Sequence, residues 1–290
     1  MITKVINFVD MAVGTLYRGA MTDVPPDDID LPPSLVVEHR GPITVLTLDR
    51  AAKRNALDDA TVLGFERFFS SLPESVRVVV LNAAGDHFCA GLDLSALGET
   101  TTFEGVMHSR MWHRAFERIE SCGVPVISVM RGAVIGGGLE LATATHIRVA
   151  EQSAFYALPE GKRGLFVGGG ASVRVSRLIG AHRVADMMLT GRVLSSDEGH
   201  AFGLSNYLVE NGQGMARALE LAASVAENSP ITNYAVVTAL PRIAASNPTE
   251  GFMMEALMAA ISQGSDEAKQ RMREFLEGSG PRVGRGSGES

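Results

Sequence analysis

The sequence predicts an α/β core followed by a helical C-terminal part. Three observations carry this reading. Short runs such as VRVVVLNAAG (76–85) and PVISVMRG (125–132) are rich in β-branched residues and nearly continuously apolar, as strands buried on both faces are. Stretches with apolar residues at helical spacing lie between them, the order of an α/β core. Beyond residue 180 the strand signals fade and helical patterning dominates.

Taken in order, MTDVPPDDIDLPPS (21–34) is dense in proline and aspartate, so residues 1–34 read as an extension or linker and the globular unit starts near Leu35. LVVEH and ITVLTLDR, joined by the tight RGP turn, form a predicted hairpin. LDDATVLGFERFFSSL is a helix with Asp58 and Asp59 in its first turn, where the helix dipole favours acids. The strand at 76–85, a helix in TTFEGVMHSRMWHRAFERIESC (101–122) and the strand ending at Gly132 follow. Then come a helix near Leu139, a strand in HIRVAE and a turn into FYALPEG. The remaining segments, from AHRVADMMLTG (181–191) to DEAKQRMREFLEG (266–278), are helical. Their methionines, Met187, Met188, Met253, Met254 and Met258, suit packing against irregular apolar gaps. The last residues, 281–290, have the composition of a flexible tail.

A net charge of −7 disfavours a broad phosphate-backbone interface, so no nucleic-acid partner is expected. Two cysteines, Cys89 and Cys122, cannot make a disulfide framework and lack zinc-site spacing, which points to a reducing interior. Lys4, Asp10 and Arg18 interrupt the first apolar stretch, so neither signal peptide nor membrane span is read there. The expected location is cytoplasmic.

The stretch GAVIGGGLELA (132–142) sets three consecutive glycines before a lone carboxylate, Glu140, among small and apolar residues. It lacks the Lys-Ser/Thr of a phosphate loop, and its spacing and mid-chain position do not fit a dinucleotide fingerprint. Two readings remain: close helix packing, or a helix starting near Gly137 or Gly138 whose free N–H groups face a developing oxyanion. Gly136 belongs to the same turn. A carboxyl in dry surroundings has a raised pKa unless it is used or paired; Glu140 could equally cap a helix or join a salt bridge. FYALPEGKRGLFVGGG repeats the glycine pattern at 164–170 and offers a second acid, Glu160, which could face the first turn or be a solvated loop acid. Two such acids can split their pKa values, one accepting a proton and the other donating one. In GDHFCAGLDL (85–94), Gly91 permits a sharp turn, Asp93 can cap the following helix, and the Leu92 N–H is available to a ligand. His87 reads as a loop residue and Cys89 as an inert small hydrophobe. RAAKRNALD gathers Arg50, Lys53 and Arg54, which suits a phosphorylated ligand or a solvated loop.

Together, LDRAAKRNAL, VVVLNAAGDHFCAGLDL, PVISVMRGAVIGGGLELATATHIRVA, ALPEGKRGLFVGGGASVRVSRLIG and MMLTGRVLSSDEGHAFGLSNYLV resemble the enoyl-CoA hydratase/isomerase (crotonase) superfamily, from about Leu35 to Leu276. The resemblance implies a spiral of ββα repeats over residues 35–210 and a helical region, 211–280, used for homotrimer or hexamer formation. It further implies an acyl-CoA substrate, with coenzyme A part of that substrate and no separate cofactor or metal. Leu92 and Gly137 would supply the oxyanion-hole N–H groups. Glu140 and Glu160 fall on the two acids with which family hydratases add water, syn, across a 2-enoyl thioester. Lys53, Arg54, Ala56, Ala90, Asp93 and Gly136 match positions along the CoA and thioester. Three departures stand out. FLEGSG replaces a basic run at the end of the last helix. Arg163 and Val167 stand where many hydratases have an apolar residue and a proline. Residues 1–34 have no counterpart.

Overall fold

The computed structural model describes residues 29–96 and 98–279. Its contacts divide the chain into two units that part at Glu227/Asn228. The expected extension and tail lie largely outside the described residues; within the former, Ile29 and Leu31 pack against the core of the first unit.

In the first unit β1 (Leu35–Arg40) and β2 (Ile43–Leu48) pair antiparallel around the expected turn, where Gly41 has a φ of 63°. β3 (Val78–Ala83), β4 (Val126–Met130), β6 (Ile147–Glu151) and β9 (Tyr207–Val209) then add in parallel, giving one sheet of order β1-β2-β3-β4-β6-β9. The alternation of side chains sorts the apolar runs onto two faces. Val78, Val80, Ile127 and Val129 meet one helix, whereas Val79, Leu81, Val126 and Met130 enter the main core. Parallel strands covered on both sides account for the absence of polar alternation in the sequence.

A smaller sheet consists of β5 (Ala133–Ile135), β7 (Phe155–Ala157) and β8 (Leu194–Ser195). Single bridges extend its logic upstream, Cys89 to Val134 and Leu57 to Leu92. Each turn of the chain thus runs from a long strand of the large sheet to a short strand or bridge and then to a helix. The helices are α1 (Asp59–Ser70), α2 (Thr102–Glu120) and α3 (Gly137–Thr143), followed by α4 (Ala171–Ile179) and α5 (Ala181–Thr190). This is the expected spiral of ββα repeats. After α6 (Ser196–Phe202), the helix α7 (Gly214–Ala226) covers the second face of the large sheet. Its small residues Ala218 and Ala222, one turn apart, bring it close to Val80 and Val129. The reading that grouped 211–226 with the C-terminal helices is therefore corrected: this helix is a layer of the core.

Local signals decide the ends of several elements. Asp58 is the N-cap of α1 and not a first-turn residue: its carboxylate accepts from Thr61 N at 2.9 Å. Thr101 with Glu104 and Ser195 with Glu198 close capping boxes on α2 and α6.

The second unit holds α8 (Pro230–Tyr234), a π-helical turn (Ala235–Ala239), α9 (Leu240–Ala245), α10 (Pro248–Gly264) and α11 (Asp266–Leu276). Leu240 N donates five residues back to Ala235 O, just before Pro241, whose ring cannot fit a regular turn. No helix among the described residues is long and apolar enough to cross a membrane.

Candidate active site

The site lies where two successive short strands end side by side. Cys89 N donates to Ala133 O at 2.9 Å and Ile135 N to Cys89 O at 3.0 Å, so the 89–92 loop runs alongside β5. Ala90 N is taken by Arg54 O, Asp93 N by Leu57 O, and Gly91 O accepts from Leu57 N. Gly91 N contacts the Cys89 sulfur at 3.4 Å. What remains is the Leu92 N–H, for which no acceptor exists among the described residues. On the neighbouring strand Gly136 N donates to Ala157 O at 2.9 Å, and α3 begins at Gly137, whose N–H is a free first-turn donor. A Cβ built on Gly137 would stand 3.5 Å from Leu92 N, and one built on Gly91 would stand 3.2 Å from Gly137 N. The two unpaired amides are neighbours at one point of the fold.

Both predicted acids reach the same cavity, of about 200 Å³, walled by Ala90, Leu92, Gly136, Gly137, Glu140 and Glu160 among others. Glu140, in the first turn of α3, is 3% exposed. Its Oε1 accepts from Gly169 N at 2.8 Å and Ala171 N at 3.0 Å, the open amides at the start of α4. Its Oε2 lies against Gly169, 2.5 Å from where a Cβ would be. Of the alternatives left open for this residue, helix capping is realised, and the residue also lines the cavity. Burial pushes its pKa up, while the donated N–H groups and the nearby Arg174 oppose the rise.

Glu160 sits in a single 3₁₀ turn, Pro159–Arg163. Its Oε2 is buried without a hydrogen-bond partner. Desolvation raises its pKa first of all and the charge of Glu140 adds to the rise, while its own backbone N–H and the charge of Arg163 oppose it. Gly136, at φ 52° and ψ −120°, lets this carboxyl approach: a Cβ there would lie 2.5 Å from Glu160 Oε1.

Lys53, Arg54, Ala56 and Asp93 stand outside the wall of this cavity, on the adjoining loop. Asp93 accepts from Lys53 Nζ at 2.9 Å and Arg50 Nη2 at 3.0 Å, and its other oxygen takes the Ser95 hydroxyl at 2.6 Å. These donors hold its carboxyl well below the usual range. The side chain accordingly ties Arg50 and Lys53 to the 93–95 turn. Arg54 is exposed, with a φ of 49°. Cys89 is fully buried and its thiol is pushed up to about 12, which agrees with an inert role.

Sequence reasoning did not single out the α2 side of the cavity, formed by His108, Ser109 and Trp112. Trp112 is 4% exposed, and its ring edge meets both Gly137 and Gly169. It drew no notice because on its own helix it is one apolar position among several. No group of three or more potential metal ligands occurs among the described residues.

Fold and site together define a spiral of ββα repeats with two acids beside two open amides. A profile of the enoyl-CoA hydratase/isomerase family matches residues 38–284, and the chain belongs to that family. Among curated relatives, "Enoyl-CoA hydratase EchA19" of Mycobacterium tuberculosis is 30% identical over 86% of this chain and 96% of its own length. The "Short-chain-enoyl-CoA hydratase" of Clostridium acetobutylicum is 28% identical over 84% of this chain and 95% of its own length. Among solved structures, a Rhodopseudomonas palustris protein described provisionally as an enoyl-CoA hydratase is 54% identical. That structure aligns with a TM-score of 0.82 over 89% of this chain and 97% of that one.

Proposed function

We propose that this protein is a 2-enoyl-CoA hydratase in which Glu140 and Glu160 carry the chemistry and the Leu92 and Gly137 amides hold the thioester oxygen. The single observation behind this reading is the meeting of a buried carboxyl, a half-buried carboxyl with one oxygen shielded from water, and two unpaired N–H groups in one cavity.

The environments of the acids divide the work. Glu140 accepts two peptide hydrogen bonds at a helix start and lies near Arg174, so it is the better host for a negative charge. Glu160 has no donor on its buried oxygen and feels the charge of Glu140, so it keeps the shared proton. In the forward direction Glu140 removes a proton from water as its oxygen bonds to the β-carbon. The π electrons move onto the thioester, whose enolate oxygen is held by the two amides. Glu160 then gives its proton to the α-carbon on the same face. Return of the proton from Glu140 to Glu160 resets the pair, and every step reverses.

Coenzyme A enters as part of the substrate, with its nucleotide along Lys53, Arg54 and Ala56, beside the loop tied by Asp93. No separate cofactor is required. The C-terminal unit leaves Phe252 70%, Leu257 56% and Leu276 76% exposed, which supports a trimer or hexamer built through these helices. The free thiols of Cys89 and Cys122 suit a cytoplasmic setting.

Hydration is followed by loss of the enoyl-thioester ultraviolet absorbance. Glu140→Gln and Glu160→Gln should each lower kcat by about 10²–10⁴. Parent-like rates in both variants across a panel of acyl chains would overturn the mechanism.

A further inference from the structure

We infer that Arg163 makes this cavity selective for 2-enoyl-CoA thioesters whose acyl chain ends in a second carboxylate. The inference rests on the hydratase reading for the reacting atoms and adds the class of acyl group.

Arg163 lines the cavity together with Glu160, Leu165 and Phe166 on one wall and His108 and Ser109 on the other. The other basic side chains nearby are engaged. His108 Nε2 is bound to Asp59 at 2.8 Å, and Arg174 is bound to Glu120 at 2.8 Å and to Gly169 O at 3.0 Å. Arg163 has no hydrogen bond and no ion pair among the described residues. Residues three apart on a 3₁₀ turn lie one above the other, so Arg163 is stationed directly beyond Glu160. If its role were to neutralise that acid, an ion pair would be within easy reach. Instead Glu160 Oε2 is buried and unpartnered, and Arg163, exposed at the cavity wall, acts on that acid only through its charge, which leaves its N–H donors open to a ligand.

The cavity already holds two carboxyl groups, so a third arriving with the substrate would be repelled unless a cation met it. A guanidinium offers a planar fork matched to a carboxylate. Leu165 and Phe166, 48% and 72% exposed, supply apolar surface beside it for the methylenes between the double bond and the terminal charge.

The test compares pairs of equal carbon number that differ at the chain end: glutaconyl-CoA against 2-pentenoyl-CoA for turnover, and glutaryl-CoA against pentanoyl-CoA for binding. Binding is read by fluorescence of Trp112, the single tryptophan, which lies on the cavity wall and reports without turnover. The parent should favour the carboxylate-ended ester in both assays. In Arg163→Met the ratio of kcat/KM for the charged over the neutral ester should fall about 10- to 100-fold, and Arg163→Lys should restore part of it. The ratio of binding constants should move with it. Equal losses for both esters, the result if Arg163 holds the CoA moiety, would overturn the proposal, as would a parent that prefers the neutral ester. Failure of the hydratase reading looks different: no enoyl ester is hydrated, while the glutaryl-CoA preference and its dependence on Arg163 persist.

Discussion

Replacement of Gly91 by alanine tests the paired amides directly. Gly91 has a φ of 91°, and a Cβ added there would lie 2.8 Å from Ile135 O and 3.2 Å from Gly137 N. Both obstacles are backbone atoms and cannot swing aside. The left-handed conformation costs about 1–3 kcal/mol for a residue with a side chain. Forcing apart the 89–92 loop and β5 adds a packing cost of about 1–3 kcal/mol. Gly41, at φ 63° with nothing within 4 Å of its added Cβ, provides the control: alanine there should cost only ~1–2 kcal/mol. By thermal unfolding Gly91→Ala should lose about 2–6 kcal/mol, clearly more than Gly41→Ala. Oxyanion donors work only when held about 2.7–3.1 Å from the developing charge, so displacement of one should lower kcat by about 10²–10³. Circular dichroism establishes that the variant is folded before rates are compared. A folded Gly91→Ala protein with the parent's kcat, or with a stability loss no larger than that of Gly41→Ala, would refute the reasoning.

Two further expectations concern pH. His146 accepts from Val126 N at 2.9 Å and is held neutral by burial, its pKa falling from 6.5 to about 4. The unfolded chain binds that proton first as pH drops, so native stability should decline by about 2–3 kcal/mol between pH 6.5 and 4. Urea unfolding of His146→Gln should show a shallower decline over this window, and an unchanged slope would sink the assignment. Glu140 and Glu160 behave in the opposite sense. Their folded pKa values are raised, so the native state holds their protons longer than the unfolded chain and loses stability as pH rises through the raised values. The Tm of Glu140→Gln and of Glu160→Gln, each taken relative to the parent, should therefore climb from pH 4 to pH 8. A constant difference would mean that neither carboxyl is perturbed.

Local chemistry made much of this protein legible before its fold was known. Val78–Leu81 and Val126–Met130 could be read as buried strands because a strand apolar on both faces has few other homes. The glycines before Glu140 could be read as close helix packing or as a helix start with open amides, because residues without side chains permit both. What lay beyond reach depends on pairing across the chain. The donors to Glu140 sit 29 and 31 residues further on, and spacing alone cannot align them. The partners of Asp93 lie 43 and 40 residues before it, so its cap to Ser95 was visible and its ion pairs were not. Likewise α7 carries the helical signature of the segments after it, and only contact with Val80 and Val129 assigns it to the sheet.

The carboxyl of Glu140 has a consequence for how this scaffold could change its reaction. One oxygen fastens the start of α4 and the residue also lines the cavity, so a substitution at 140 disturbs architecture and cavity wall at a stroke. Glu160 is fastened by nothing on its buried oxygen. New activities should accordingly be easier to install at 160, where the framework has little to lose, than at 140, where the newcomer must also replace a tether.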